Sequence, residues 1–256
     1  MARANPFRSA LGLDVSFPGP GQAAIDAPAR SGNLGGDGCI APGVVLTLLD
    51  VALGHAVASR LGEPSSFATV SLQILMRSAW PPGPLSALGQ AEPLARDWRE
   101  AAAEGRVLAR DGRVVATAQG FFARGGRSGR QLALPVDQGG CFRSLRDLLG
   151  LREAEGVSTM AIEHRHVNPD GVMHGGALAA FLDEAMRMGL RQEGADPRRL
   201  GSFSIRYLLP ARPGTLRAAW QIQRRGRRIH FTSASALGED GSLLAAADAT
   251  YLEGDA

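Results

Sequence analysis

The stretch Asn168-Pro169-Asp170-Gly171-Val172-Met173-His174-Gly175-Gly176, with the residues after it through Arg191, decides the reading of this chain. Asn-Pro and Asp-Gly mark a loop. Beyond His174 apolar residues recur at steps of three and four, through Leu178, Phe181, Leu182, Ala185 and Met186, which predicts a helix over 177–191. Asp183 falls inside that apolar run, where an unpartnered carboxylate is costly to bury. Two glycines free the helix start of side chains, and the positive end of a helix attracts anions. Taken alone, the same residues also fit a tight turn followed by a solvated or structural acid.

The chain contains this device twice, and that decides between the two readings. Ala41-Pro42-Gly43-Val44-Val45-Leu46-Thr47-Leu48-Leu49-Asp50 runs parallel to His174-Gly175-Gly176-Ala177-Leu178-Ala179-Ala180-Phe181-Leu182-Asp183, with the acid at the same place in each. Phe7-Arg8-Ser9 matches Phe142-Arg143-Ser144, and Pro82-Gly83-Pro84-Leu85 matches Pro213-Gly214-Thr215-Leu216. A repeat of half the chain means duplication of one folding unit.

With 256 residues, 45% hydrophobic and 21% charged, the composition is that of an ordinary globular protein, and each half is long enough to bury a core. The net charge is +3, and every one of the 28 basic residues is arginine. The basic spots Arg198-Arg199 and Arg224-Arg225-Gly226-Arg227-Arg228 have no interleaved aromatic motif, so nucleic-acid binding is not expected. Cys39 and Cys141 form neither a disulfide framework nor a paired metal spacing. His164 and His166 alternate on a predicted strand and would share a face, but no third ligand accompanies them, so no metal is expected. A signal-peptide core is not seen, and no run of about 20 apolar residues is uninterrupted. The expectation is a cytoplasmic protein with no membrane partner.

Each half reads as an extended segment, a long helix and four strands. In the first, a short amphipathic piece over 7–13 precedes extended segments at 14–17 and 23–25 and a glycine-rich loop at 32–38. A helix over 42–61 follows, with proline at its first position, where the missing N–H costs nothing. Strands are expected at 67–78, 85–95, 98–110 and 113–123. The second half repeats this with a short helix over 142–149, a strand over 157–167, the central helix, and strands at 201–209, 215–224, 227–237 and 243–252. Residues 124–140 read as a linker, which gives units 1–123 and 141–256. One long apolar helix with hairpin-connected strands predicts, for each unit, an antiparallel sheet wrapped around a buried helix, an α+β fold.

This pattern resembles the hotdog-fold acyl-CoA thioesterases of the phenylacetyl-CoA thioesterase-like branch, duplicated as a double hotdog. The resemblance rests on Asn168, His174-Gly175-Gly176 and Asp183, then Ser204-Ile205-Arg206-Tyr207-Leu208-Leu209-Pro210-Ala211-Arg212-Pro213-Gly214, and later Gly226-Arg227 and Asp240 to Ala245. It implies two units with antiparallel central helices, composite sites built from both units, coenzyme A entering only as part of an acyl-CoA substrate, no cofactor, and a homodimer of double-hotdog chains.

Helix geometry supports the sharing. Gly175 and Asp183 stand about 12 Å apart along one helix at 1.5 Å per residue, too far for one thioester carbonyl to touch both. An antiparallel neighbour brings its own acid to that helix start, which pairs Gly175 with Asp50 and Pro42 with Asp183. The sites are then unequal. In the first, Asp50 is nucleophile or general base, the Gly175 N–H is the oxyanion donor, and His174 and Asn168 position that region, with Gly176 and Asp183 as further substrate-binding candidates. In the second, Ala41-Pro42 replaces His-Gly and Gly35 stands where Asn168 does, so the donor is missing and the site should be dead or weak. Asp183 then has a structural use open to it, pairing with Arg187 one turn on. Val51 follows Asp50 where this branch commonly has a hydroxyl residue. The competing readings are a non-catalytic acyl-CoA binder of the same fold and a hotdog dehydratase, which the Asn, His-Gly-Gly and Asp pattern fits less well. Phe181, Met186, Met76 and Tyr207 are pocket candidates that plain core packing explains equally.

Overall fold

The computed structural model describes residues 5–61, 67–80, 82–93, 99–124, 142–154 and 156–254. The first unit contains helix α1 (Pro6–Leu11), strands β1 (Asp14–Ser16) and β2 (Gln22–Ala27), the central helix α2 (Pro42–Leu61), and strands β3 (Phe67–Met76), β4 (Leu85–Pro93), β5 (Glu100–Ala109) and β6 (Val114–Arg124). The second contains α3 (Leu145–Leu149), β7 (Arg152–Ala154), β8 (Val157–Ala161), the central helix α4 (Gly175–Gln192), and β9 (Pro197–Tyr207), β10 (Thr215–Arg225), β11 (Ile229–Leu237) and β12 (Leu243–Glu253). Residues 125–140 of the expected linker lie outside the described residues; Arg124 belongs to β6.

The twelve strands among the described residues form one antiparallel sheet, in the order β1-β2-β4-β5-β6-β3-β9-β12-β11-β10-β8-β7. The units meet where β3 pairs with β9, with Gln73 opposite Ser204, Leu72 opposite Ile205 and Ile74 opposite Phe203. That register is symmetric about Gln73 and Ser204, so the two halves are related by a pseudo-twofold axis at this point. Each half-sheet curls around its own helix: α2 packs on β2 to β6, and α4 on β9 to β12. Both helices are deeply buried, and α2 is apolar on nearly all sides, as a fully enclosed core helix must be. Pro42–Arg60 is long and apolar enough on average to cross a membrane, although Thr47, Asp50, His55 and Ser59 interrupt its apolar run; here most of it is enclosed by the sheet and by α4.

The two central helices lie against each other in antiparallel sense. A Cβ on Gly43 would fall 2.9 Å from the Ala180 Cβ, and one on Gly176 would fall 2.8 Å from Thr47 Cα. These are the same contact seen from the two units, and glycine is needed in both because backbone meets backbone there.

Other repeated features survive in detail. Each central helix is preceded by a 3₁₀ turn, at Ser31–Asn33 and His164–His166, and by a loop closed by an isolated bridge, Leu34 with Ile40 and Val167 with Met173. The Pro-Gly pairs ahead of β4 and β10 have matching backbone, φ +148° at Gly83 and +150° at Gly214.

The structure corrects two further expectations. The strand expected over 157–167 stops at Ala161, so His164 and His166 lie in a 3₁₀ turn and share no strand face. His166 is a satisfied core side chain: Nδ1 accepts from the Glu163 N–H at 3.0 Å and Nε2 faces the Leu148 carbonyl at 2.9 Å. The second is the register of the leading repeat. Helices α1 and α3 each end at a left-handed glycine, Gly12 and Gly150, and counting back from these sets Phe7 opposite Leu145 rather than Phe142. α1 packs against the 3₁₀ turn of the second unit and α3 against that of the first, so each unit's leading helix braces the other's site loop.

Candidate active site

The antiparallel helices bring Asp50 of α2 to the start of α4. The nearest groups to a Cβ added on Gly175 would be Asp50 Oδ2 at 2.9 Å and Oδ1 at 3.1 Å. The Asp50 carboxylate is buried, at 6% exposure. Gly175 opens α4, so its N–H belongs to the first turn, which has no intrahelical acceptor. A buried carboxylate therefore stands beside the first residue of α4, at the positive end of a helix.

His174 caps α4. Its Nδ1 accepts the Gly176 N–H at 3.0 Å, which places the ring proton on Nε2. The same Nδ1 lies 3.4 Å from Asp50 Oδ2. That proximity is not an ion pair, because the Nδ1 lone pair is already engaged. Burial holds the imidazole pKa below its ordinary value, with Arg8 adding to the effect, and together they outweigh the attraction of Asp50. The imidazole is thus a neutral cap with an Nε2–H donor. Phe7 packs on it with ring centres 5.5 Å apart.

Two groups that the sequence reading did not single out for the site complete the surroundings of Asp50. Thr69, at the start of β3, donates its hydroxyl to Asp50 Oδ1 at 2.9 Å. It supplies from a strand the hydroxyl that Val51 does not supply from the helix. Tyr207, at the end of β9 and read only as a pocket or core residue, donates to the Gly175 carbonyl at 3.0 Å. Burial, and then the charge of Asp50, push the Tyr207 phenol well above its usual range, so it stays protonated as a donor. The pseudo-symmetry offers a signal for both: counting from Gln73 and Ser204, Thr69 stands where the other unit has Leu200, and Tyr207 where it has Met76. Polar residues replace apolar ones on the side where the site is intact.

Asn168 shapes the loop ahead of His174. Its side-chain oxygen accepts from the N–H groups of Asp170 at 2.9 Å and Val172 at 3.3 Å, and Gly171 takes φ +75° to close the turn.

Asp183 is placed away from this cluster. It is fully buried and held by Arg187 Nε at 3.1 and 3.2 Å and by the Tyr251 hydroxyl at 2.7 Å. Arg187 in turn donates to the Pro197 carbonyl at 2.8 Å and lies 4.9 Å over the Tyr251 ring. Both oxygens of Asp183 are therefore occupied, which is the structural use that the sequence left open. Opposite it, α2 opens with Ala41-Pro42, and proline offers no N–H there. The two composite sites have diverged, one into a carboxylate with no cationic side chain bonded to it beside a helix start, the other into a closed ion pair.

A surface trough of about 1090 Å³ lies on the outer face of the sheet around Gln73, Gln119, Ser204 and Asp248. None of the site residues above lines it.

Residues 170–245 match the thioesterase superfamily. Among curated proteins no sequence matches. Solved structures match over nearly the whole chain. A 12:0-ACP thioesterase from Umbellularia californica superposes with a TM-score of 0.66 at 11% identity, over 91% of this chain and 95% of that one. An acyl-ACP thioesterase from Bacteroides thetaiotaomicron gives 0.61 at 13% identity, over 90% and 98%. A hotdog-fold protein of unknown function from Alicyclobacillus acidocaldarius gives 0.61 at 15% identity, over 99% and 100%. At these identities the likeness is one of fold.

Proposed function

For a chain that folds as a double hotdog and whose second unit matches the thioesterase superfamily, we propose hydrolysis of acyl-CoA thioesters at one composite site per chain. The observation that carries this is the contact between Asp50 of one unit and Gly175 of the other.

The thioester carbonyl oxygen takes the Gly175 N–H, at the positive end of α4, where negative charge develops during attack. Asp50 stands on the other side of the same point. One of its oxygens is tied to Thr69; the other, Oδ2, is the one nearer Gly175 and acts on the carbonyl carbon or on a water beside it. Tyr207 fixes the first turn of α4, and the neutral His174 fixes its cap. Coenzyme A leaves as the thiol. The Asp183 site takes no part, because its carboxylate is closed by Arg187 and Tyr251 and no N–H faces it from Pro42.

The test is hydrolysis of a panel of short, long, branched and aromatic acyl-CoA thioesters, read by free thiol, for the native chain and for Asp50→Asn. Turnover that vanishes in Asp50→Asn supports the proposal. Acyl-CoA binding without turnover on any substrate would instead make the chain a binding module. After a single turnover in H₂¹⁸O, label in the Asp50 side chain would identify a covalent acyl-aspartate opened by water at the aspartyl carbon.

A further inference from the structure

Two arginines occupy equivalent places in the two units and differ in whether anything neutralises them. Arg8 on α1 and Arg146 on α3 each stand four residues before the left-handed glycine that ends the helix. Each reaches the nearby central helix at a matching position: Arg8 Nη1 lies 3.3 Å from His55 Nε2 on α2, and Arg146 Nη2 lies 3.6 Å from Met188 Sδ on α4. Arg146 pairs with Glu153 on β7 and stands 4.0 Å from Glu184 on α4. In the first unit those two acids are replaced by Val15 on β1 and Val51 on α2. Among the described residues no carboxylate pairs with Arg8; the hydrogen-bond partner of its guanidinium there is His55.

His55 does not neutralise it. Its Nδ1 faces the Val51 carbonyl at 2.9 Å and therefore carries the proton, so Nε2 is a neutral acceptor. Burial foremost, with Arg8 contributing, lowers the His55 pKa to about 4. The Arg8 guanidinium thus keeps its full charge while half-buried, beside Phe7, whose ring packs on His174. The duplication provides its own control: the same arginine is neutralised beside the closed site and left open beside the Asp50 site.

Resting on the reading of Asp50 given above, we infer that Arg8 is a specificity residue that pairs with an anionic group of the substrate, a carboxylate at the far end of a short acyl chain. His55 follows Asp50 by five positions on α2, about 7.5 Å along the axis and about 140° around it. A short dicarboxylic acyl group covers that span. The phosphates of coenzyme A are held away from the sulfur by the whole pantetheine arm, so they reach this point less well. A half-buried guanidinium without a carboxylate partner is a ready partner for such a group.

The experiment measures binding of non-hydrolysable thioethers, S-alkyl against S-(ω-carboxyalkyl) of matched length, each on coenzyme A and on N-acetylcysteamine. The full chain is compared with Arg8→Gln, Arg8→Lys and, as a surface control, Arg199→Gln, and the matching thioesters are assayed for turnover. The quantity read is the preference for the carboxylated ligand, which a general loss of fold does not imitate. The native chain should prefer the carboxylated ligands on both carriers. Arg8→Gln should cut that preference roughly tenfold to a hundredfold, the scale of a charge-assisted hydrogen bond. Arg8→Lys should keep part of it, and Arg199→Gln all of it. No preference in the native chain, or an unchanged one in Arg8→Gln, overturns the inference. A loss seen with coenzyme A ligands and not with N-acetylcysteamine ligands assigns Arg8 to a carrier phosphate and overturns the carboxylate. An intact binding preference without turnover would sink the hydrolytic reading and leave that of Arg8 standing.

Discussion

Asp50 and Gly175 touch across the two central helices: a Cβ on Gly175 would sit 2.9 Å from Asp50 Oδ2, a distance that side chains do not tolerate. A side chain at position 175 would therefore have to displace the Asp50 carboxylate of the other unit. Gly175→Ala is expected to push the carboxylate aside and lower kcat by about 10²-fold, the scale of a 1 Å misplacement at a reacting centre. Alanine suits a helix better than glycine, so the melting temperature should hold or rise. Steady-state kinetics beside a thermal melt tests both; a kcat within twofold of native would remove Gly175 from the proposed mechanism.

The two central aspartates should part company on mutation. Asp50→Asn is expected to abolish turnover with little loss of stability. Asp183→Asn is expected to leave turnover per folded molecule near native while destabilising the chain by about 3–5 kcal/mol, because it strands the buried Arg187. Urea unfolding and thiol release on the same preparations check the pair. Equal loss of turnover in both would mean that the Asp183 site is active.

Thr69 is expected to act through the Asp50 carboxylate and not through bulk. Thr69→Val keeps the shape and removes the donor of the 2.9 Å hydrogen bond, so kcat should fall by roughly tenfold. Thr69→Ser should restore most of it.

His55 sets an acid limb of stability. Its pKa is lowered to about 4 in the fold, with burial as the leading cause. The unfolded chain therefore takes up its proton first, near the ordinary value of about 6.5. Stability is full above that pH and is lost as the pH falls from about 6.5 to about 4, by on the order of 2–3 kcal/mol. His174, also held low, acts in the same direction. His55→Gln should flatten the slope in that window in urea titrations at stepped pH; an unchanged slope would exclude His55 as its source.

The sequence by itself determined the architecture. Apolar spacing around Asp50 and Asp183, the Pro-Gly connections and the Asp-Gly turns are local signals, and each was readable because helix periodicity and turn chemistry act over a few residues. Duplication made them legible twice, down to the bounds of α2 at Pro42–Leu61. The pairing of Asp50 with Gly175 also followed from helix rise once antiparallel helices were assumed. Local spacing misled where a tertiary contact took over: His164 and His166 alternate as a strand would, yet the chain turns there to seat the His166 ring against the Leu148 carbonyl. What only the tertiary structure decided was which groups reach the carboxylates. Thr69 lies on a strand 19 residues beyond Asp50, Tyr207 comes from the other unit, and Tyr251 closes Asp183 from 68 residues away. No spacing rule encodes such contacts, because the curl of the sheet around the two helices sets them. The charge left on Arg8, beside the neutralised Arg146, is visible for the same reason only when the two folded units are compared.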